Sequence, residues 1–345
     1  MLAAPPQPAV LATSVASYLT APASGGRVTA WLEYPASHAG SPDAVARRKA
    51  TRLVIADRTG RRARVVYDGG CARLQRCDTV SAPQAGTDTV LYAVADGRHA
   101  DLASATLEIR PGRLVAQMRQ PVGEPPPFML AGPAAVWYTA GRVRERPPDL
   151  KKPATTLVGD PPGGTLHAVV RHEPVTAWLS RAAAGQDAVY EQLDGGRPRL
   201  LYRELRPGVR LTALAPLDGG RVGVVALRRA GGGLTASILL LTPGVPQPAV
   251  LTASAHSPQA HTYNPSLSSS GQSLAFRRRV GSERGLADQI VVIDVLRGTT
   301  RVIASALLRT ARLSDPSLGY GRVVWSSARI AGGRLVRSSV LAAPA

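Results

Sequence analysis

His167 and His172, with Glu173 beside the second, bring together the residue types from which acid–base or metal sites are built. Their separation matches no zinc-ligand motif, and neither H-E-x-x-H, G-x-S-x-G nor a phosphate-binding loop occurs in the chain. Surface histidines are the plainer reading, and no metal or other cofactor is expected. His256 and His261 precede the most regular repeat of the chain, where His261 would stand near the start of a strand. Asn264 and Asp315 each fall immediately before a Pro-Ser pair. At that position a side-chain carbonyl or carboxylate either fixes an Asx turn or lines the mouth of a channel. Cys71 and Cys77 are the only cysteines. Their spacing is too wide for C-x-x-C redox chemistry, and a zinc site would need a second pair. A disulfide closing a small loop and two free thiols both remain open.

Positive charge is the other chemistry on offer. The chain carries 42 basic and 23 acidic residues, a formal net charge of +19, which raises the question of a polyanionic ligand. Nearly all of that charge is arginine, since Lys49, Lys151 and Lys152 are the only lysines, and it is scattered in a background rich in Ala, Gly, Pro and Val. Such a composition follows from GC-rich coding, so no specific nucleic-acid partner is expected. The densest local excess is the segment Gly141–Pro153, read as a loop, where Arg142, Arg144, Arg146, Lys151 and Lys152 face only Glu145 and Asp149. It is the candidate contact for an acidic partner.

The elements that must position these residues are short. Gly and Pro number 34 and 29 and are spread along the chain, which suits many strands and turns better than a few long helices. Apolar segments recur with starts near 28, 90, 135, 175, 222, 274 and 323, and V-T-A-W-L appears identically at Val28 and Val175. Most are followed by a hairpin with Gly at its turn, as in Arg52–Tyr67 around Thr59-Gly60 and Asp187–Tyr202 around Gly195-Gly196. Four antiparallel strands per period of about 50 residues describe a propeller blade. The expected fold is therefore all-β, a single seven-bladed β-propeller over residues 1–345, with six blades as the alternative because the third repeat is poorly marked. The last repeat lacks its outer strand. The segment Gln7–Thr13, Q-P-A-V-L-A-T, parallels the outer strand Q-P-A-V-L-T-A of residues 247–253 and is predicted to complete it. Trp31, Trp137, Trp178 and Trp325 recur in second strands and are read as packing between blades.

Residues 264–276, N-P-S-L-S-S-S-G-Q-S-L-A-F, followed by Q-I-V-V-I-D-V at 289–295, resemble the TolB-like (PD40, WD40-like) repeat. Asp315–Trp325 is a looser match. Ser269-Ser270-Gly271 stand where that family has P-D-G, and Leu267 where it has Trp. The resemblance implies an exported, periplasmic or extracellular propeller that binds other proteins, and in that setting Cys71 and Cys77 are expected to be bonded. The N-terminus has no basic region followed by an apolar one, so no signal peptide is visible. No run of about 18 apolar residues predicts a membrane span. A monomeric binding scaffold, more binder than enzyme, is the leading expectation. A propeller lyase or hydrolase with a channel-mouth site and a binder of acidic polymers are the alternatives.

Overall fold

The computed structural model describes residues 7–38, 51–68, 79–95, 99–108, 113–119, 127–147, 152–230, 233–253, 266–282 and 285–345. Cys71, Cys77, Lys151, His261 and Asn264 lie outside them. The described chain is all-β apart from two short 3-10 turns, and forms a seven-bladed β-propeller of four-stranded antiparallel blades. The count is seven rather than six because the weakly marked third repeat closes a complete blade.

The fold divides into two compact units, residues 1–125 with 302–345, and residues 126–301. In the first unit, blade one is Ser17–Ser24, Val28–Pro35, Arg52–Asp57 and Arg64–Asp68. Blade two carries Thr89–Ala95, His99–Thr106 and Arg113–Arg119 outside an inner strand split into Thr79–Val80 and Gln84–Ala85. Blade seven has an inner strand split into Ala311–Leu313 and Ser317–Gly319, then Arg322–Ala331 and Arg334–Pro344. Its fourth strand is Ala9–Ser14, antiparallel to Arg334–Pro344 with Val10 opposite Leu341 and Ser14 opposite Ser338. The N-terminal strand thus closes the last blade as its sequence predicts.

The two split inner strands share one device. Proline has no N–H to give a ladder, so Pro83 and Pro316 interrupt the pairing. In each case the serine two residues earlier bridges the gap. Ala93 N donates to Ser81 Oγ and Ser326 N to Ser314 Oγ, both at 2.9 Å, and each serine hydroxyl donates to the carbonyl of the next residue.

The second unit holds blade three (Phe128–Ala131, Ala134–Thr139, Arg142–Arg146, Thr155–Gly159) and blade four (Thr165–His172, Val175–Arg181, Asp187–Leu193, Arg199–Arg203). Blade five follows (Val209–Pro216, Val222–Ala230, Gly233–Leu241, Ala249–Ala253), then blade six (Leu267–Ser270, Ser273–Ser282, Gly285–Asp294 and Thr299–Leu307). The last strand of blade six spans the division between the units.

Strand alternation sends one face of each second strand to each neighbouring blade. Trp31 packs with Val54 against Val324 and Val340 of blade seven, while Val28 and Ala30 pack against Val90 and Tyr92 of blade two. Trp178 meets Val136, Val143 and Val158 of blade three, whereas Ala177 and Leu179 join Leu211 and Val224 of blade five. Phe276 does the same against Val225 and Ile238 of blade five. The aromatic of the second strand therefore fills the space toward the preceding blade, which is the packing role read from the sequence. Cross-strand stacks reinforce two blades, Tyr18 on Tyr34 at 5.2 Å and Trp178 on Tyr190 at 5.9 Å between ring centres.

Candidate functional site

The basic segment of blade three is built differently from the loop read in the sequence. Ala140 and Gly141, at φ 48° and 75°, make a two-residue turn, and Arg142–Arg146 runs back as the third strand, with Arg142 opposite Thr139 and Arg146 opposite Ala135. Alternation then sorts the charges. Val143 is buried toward blade four and Glu145 reaches Arg171 of that blade. Arg142, Arg144 and Arg146 stand on the other face, cross-strand from the residues that include Trp137. Arg142 is exposed, Arg144 and Arg146 half-buried. Arg146 Nε donates to the Lys152 carbonyl at 3.0 Å, which brings Lys152 beside the strand. The remaining connection joins strands three and four, so it opens at the end of its blade opposite the Ala140-Gly141 turn. The connection after Pro35 in blade one joins strands two and three.

The charged groups of the second unit are organised in pairs, most within a blade and a few across a blade boundary. Arg171, at the end of the inner strand of blade four, donates Nε to Glu145 at 2.9 Å, Nη1 to Asp194 at 2.7 Å and to Thr176 Oγ1 at 2.9 Å, and Nη2 to Asp194 at 3.0 Å. Burial works against its charge, but the Asp194 and Glu145 carboxylates outweigh it and raise the pKa above the usual arginine value. Asp187 accepts from Arg181 at 2.6 Å and from the Leu211 backbone of blade five at 2.8 Å. Asp288 lies between Arg279 at 2.9 Å and Arg277 at 3.2 Å, and Glu191 takes Arg199 at 2.7 Å. Glu204 is held by Arg206 at 2.6 Å and Tyr202 at 3.1 Å. Burial would raise its pKa, and the Arg206 hydrogen bonds reverse that and keep it below the ordinary glutamate value.

Asp187, Glu191, Glu204 and Asp288 are the buried carboxylates among the described residues, and each is tied to arginine. None stands buried without a cation beside it, the arrangement from which general acids are made. His172 Nε2 stands 3.1 Å from Asp218 on blade five, with both side chains about half exposed, and His167 is exposed. Among the described residues no group of three His, Cys, Asp or Glu converges as a metal site.

Asp315 occupies the middle of the Ser314–Pro316 bridge of blade seven and is half-buried. Ala82 holds the same position in blade two, with the same serine bonds around it. The serine bonds of the turn thus form with either an alanine or an aspartate at this position. These serine bridges, the ion pairs across blades and the buried Arg322 of blade seven were not read from the sequence. The recurring Ser-x-Pro at residues 81–83 and 314–316 was the available signal for the first.

No known protein family and no curated protein sequence matches the chain. Solved structures do. The β-propeller domain of the Trilobed protease from Pyrococcus furiosus aligns with a TM-score of 0.57 at 9% identity, over 94% of this chain and 93% of that one. An oligogalacturonate lyase in complex with manganese aligns at 0.56 and 13% identity, over 97% and 92%. TolB from Acinetobacter baumannii aligns at 0.43 and 12% identity, over 91% of this chain and 63% of that one. At such identities the likeness is one of fold. The first two come from a protease and a lyase, so the shared architecture does not by itself fix an activity.

Proposed function

We propose that this chain is a non-catalytic binding propeller of the TolB-like type that engages an acidic protein partner, works as a monomer, and acts in the cell envelope or outside the cell. What supports the reading is the state of its charges. The buried carboxylates of the described blades are neutralised internally by arginine, so the excess basic charge is what remains for a partner. Arg142, Arg144 and Arg146 on one face of the third strand of blade three, with Lys151 and Lys152 following, form the first candidate contact. The repeat at residues 264–295 supports the exported, partner-binding setting through its resemblance to TolB-like proteins.

Replacing the whole segment would delete Val143 from the core and Glu145 from Arg171, so the test uses side chains alone. A pull-down compares the wild type with the triple variant Arg142→Ala, Lys151→Ala, Lys152→Ala over a salt series. The expected result is loss of the partner at a lower salt concentration than for the wild type. Recovery of the same partners at the same salt would remove this segment from the contact.

A further inference from the structure

Three arginines are buried among the described residues, Arg171, Arg279 and Arg322. The first two face carboxylates. Arg322, 6% exposed, faces none. It opens the second strand of blade seven and reaches into blade one, where every partner is a neutral oxygen. Nε donates to Ser24 Oγ at 3.0 Å, Nη1 to the Arg58 carbonyl at 2.7 Å, and Nη2 to Thr29 Oγ1 and, at 3.5 Å, the Val28 carbonyl. Neutral oxygens satisfy the N–H groups but leave the charge uncompensated in a poorly solvated place. The charged group that acts on it is another cation, Arg58. Burial and that neighbour together pull the Arg322 pKa down to about 10.

The surroundings are a rim of turns from three blades, tied to one another. Gly26 N donates to the Gly86 carbonyl at 3.0 Å and Arg27 N to the Thr87 carbonyl, joining blades one and two. A Cβ on Gly25 would stand 2.1 Å from the Gly86 oxygen, so the two turns meet at backbone distance. The Thr87 hydroxyl shares a hydrogen with Tyr320 OH at 2.9 Å, and Arg58 Nη2 donates to the Tyr320 carbonyl at 3.2 Å, joining both blades to blade seven. Arg27, Arg58, Arg61 and Arg62 are exposed on these turns. Asp57, the nearest carboxylate in sequence, has its Oδ1 engaged inside its own turn by the Thr59 hydroxyl at 2.7 Å, Thr59 N at 2.9 Å and Arg61 N at 3.0 Å. Among the described residues no salt bridge involves Arg27, Arg58, Arg61 or Arg322.

We propose that this rim is a docking site for a carboxylate-rich peptide segment of a partner protein, with Arg58 and Arg61 making the exposed contacts and Arg322 supplying the buried positive charge behind them. Carboxylate pairs with guanidinium through two parallel N–H···O bonds, and the exposed Arg58, with Nη2 donating to the Tyr320 carbonyl, is held at the rim to offer such contacts. The exposed arginines stand on two turns of blade one, Arg27 on one and Arg58, Arg61 and Arg62 on the other, with the buried Arg322 of blade seven behind them, so they do not converge on one point. That spacing suits successive acidic side chains of an extended segment better than a single phosphate. The inference rests on the binding reading above but locates the contact elsewhere, in the other unit of the molecule.

The test is the affinity of a fluorescent deca-glutamate peptide for the full chain at low salt, read by anisotropy. The double variant Arg58→Ala, Arg61→Ala is expected to weaken binding about tenfold or more. The double variant Arg329→Ala, Arg334→Ala removes equal charge from the opposite end of blade seven and is expected to stay within about twofold of the wild type. Arg322→Met is expected to weaken binding as well, and should it fail to fold, the surface pairs decide alone. Equal weakening by both surface pairs, or no binding by the wild type, would overturn the proposal. So would a single-stranded oligonucleotide that binds through Arg58 while deca-glutamate does not. If deca-glutamate is instead released by Arg142→Ala, Lys151→Ala, Lys152→Ala, this site falls and the acidic-partner reading stands.

Discussion

Arg171 and Arg322 are buried to the same degree, 5% and 6% exposed, and each bridges two blades of its own unit. Their surroundings differ in one respect. Arg171 is enclosed by two carboxylates and a hydroxyl, and its pKa is raised despite burial. Arg322 is enclosed by hydroxyls and carbonyls, and its pKa is lowered. Burial alone therefore does not decide how a guanidinium behaves in this fold. The counter-charge does, because hydrogen bonds to neutral oxygen replace those lost from water without replacing the solvation of the charge. The first arrangement locks blades three and four together. The second leaves a standing attraction for an anion.

The comparison breaks most visibly at Arg171. Arg171→Met leaves Glu145 and Asp194 without a cation between blades, and should cost about 3 kcal/mol of unfolding free energy in urea titration. A loss no larger than that of an exposed arginine would show that the cluster is not a structural lock. Arg322→Met is the sharper half of the pair. It removes an uncompensated charge together with its hydrogen bonds, so the two effects oppose each other and the net loss should be below about 1 kcal/mol. A loss equal to that of Arg171→Met would mean that the neutral oxygens stabilise the charge as well as carboxylates do.

The smallest effect concerns Glu204, which shares with Arg171 the pairing that Arg322 lacks. Its folded pKa lies below the ordinary value of 4.5. Its contribution to stability is therefore complete above that pH and drains away as the pH falls through the lower folded value. Urea midpoints measured from pH 6 down to pH 3 should decline more steeply for the wild type than for Glu204→Gln. Parallel declines would place the acid sensitivity in other carboxylates.

Legibility followed locality. The second strands around Trp31, Trp178 and Trp325 announced themselves because each combines apolar residues with a flanking Gly turn, and the closing strand Ala9–Ser14 was visible as a copy of the outer strand of blade five. The third strand of blade three was not visible. R-V-R-E-R offers one apolar residue, Val143, to carry the alternation, and its other inward group is a glutamate whose partner lies 26 residues further on.

The sequence by itself pointed to a propeller of repeated blades and to its closure by the N-terminal strand, and left the count between seven and six. A repeated strand with a bulky aromatic must bury both faces, and stacking copies of itself is how it does so. Only the tertiary structure decided which charges answer which. Glu145 meets Arg171 and Asp187 meets the Leu211 backbone, while Arg322 meets no carboxylate. These outcomes depend on which strand ends face one another across a blade boundary. Side-chain electrostatics falls off over a few ångströms, whereas the residues that share such a boundary are separated in the chain by 26 and 24 residues or, for Arg322 and Ser24, by nearly the full circuit of blades.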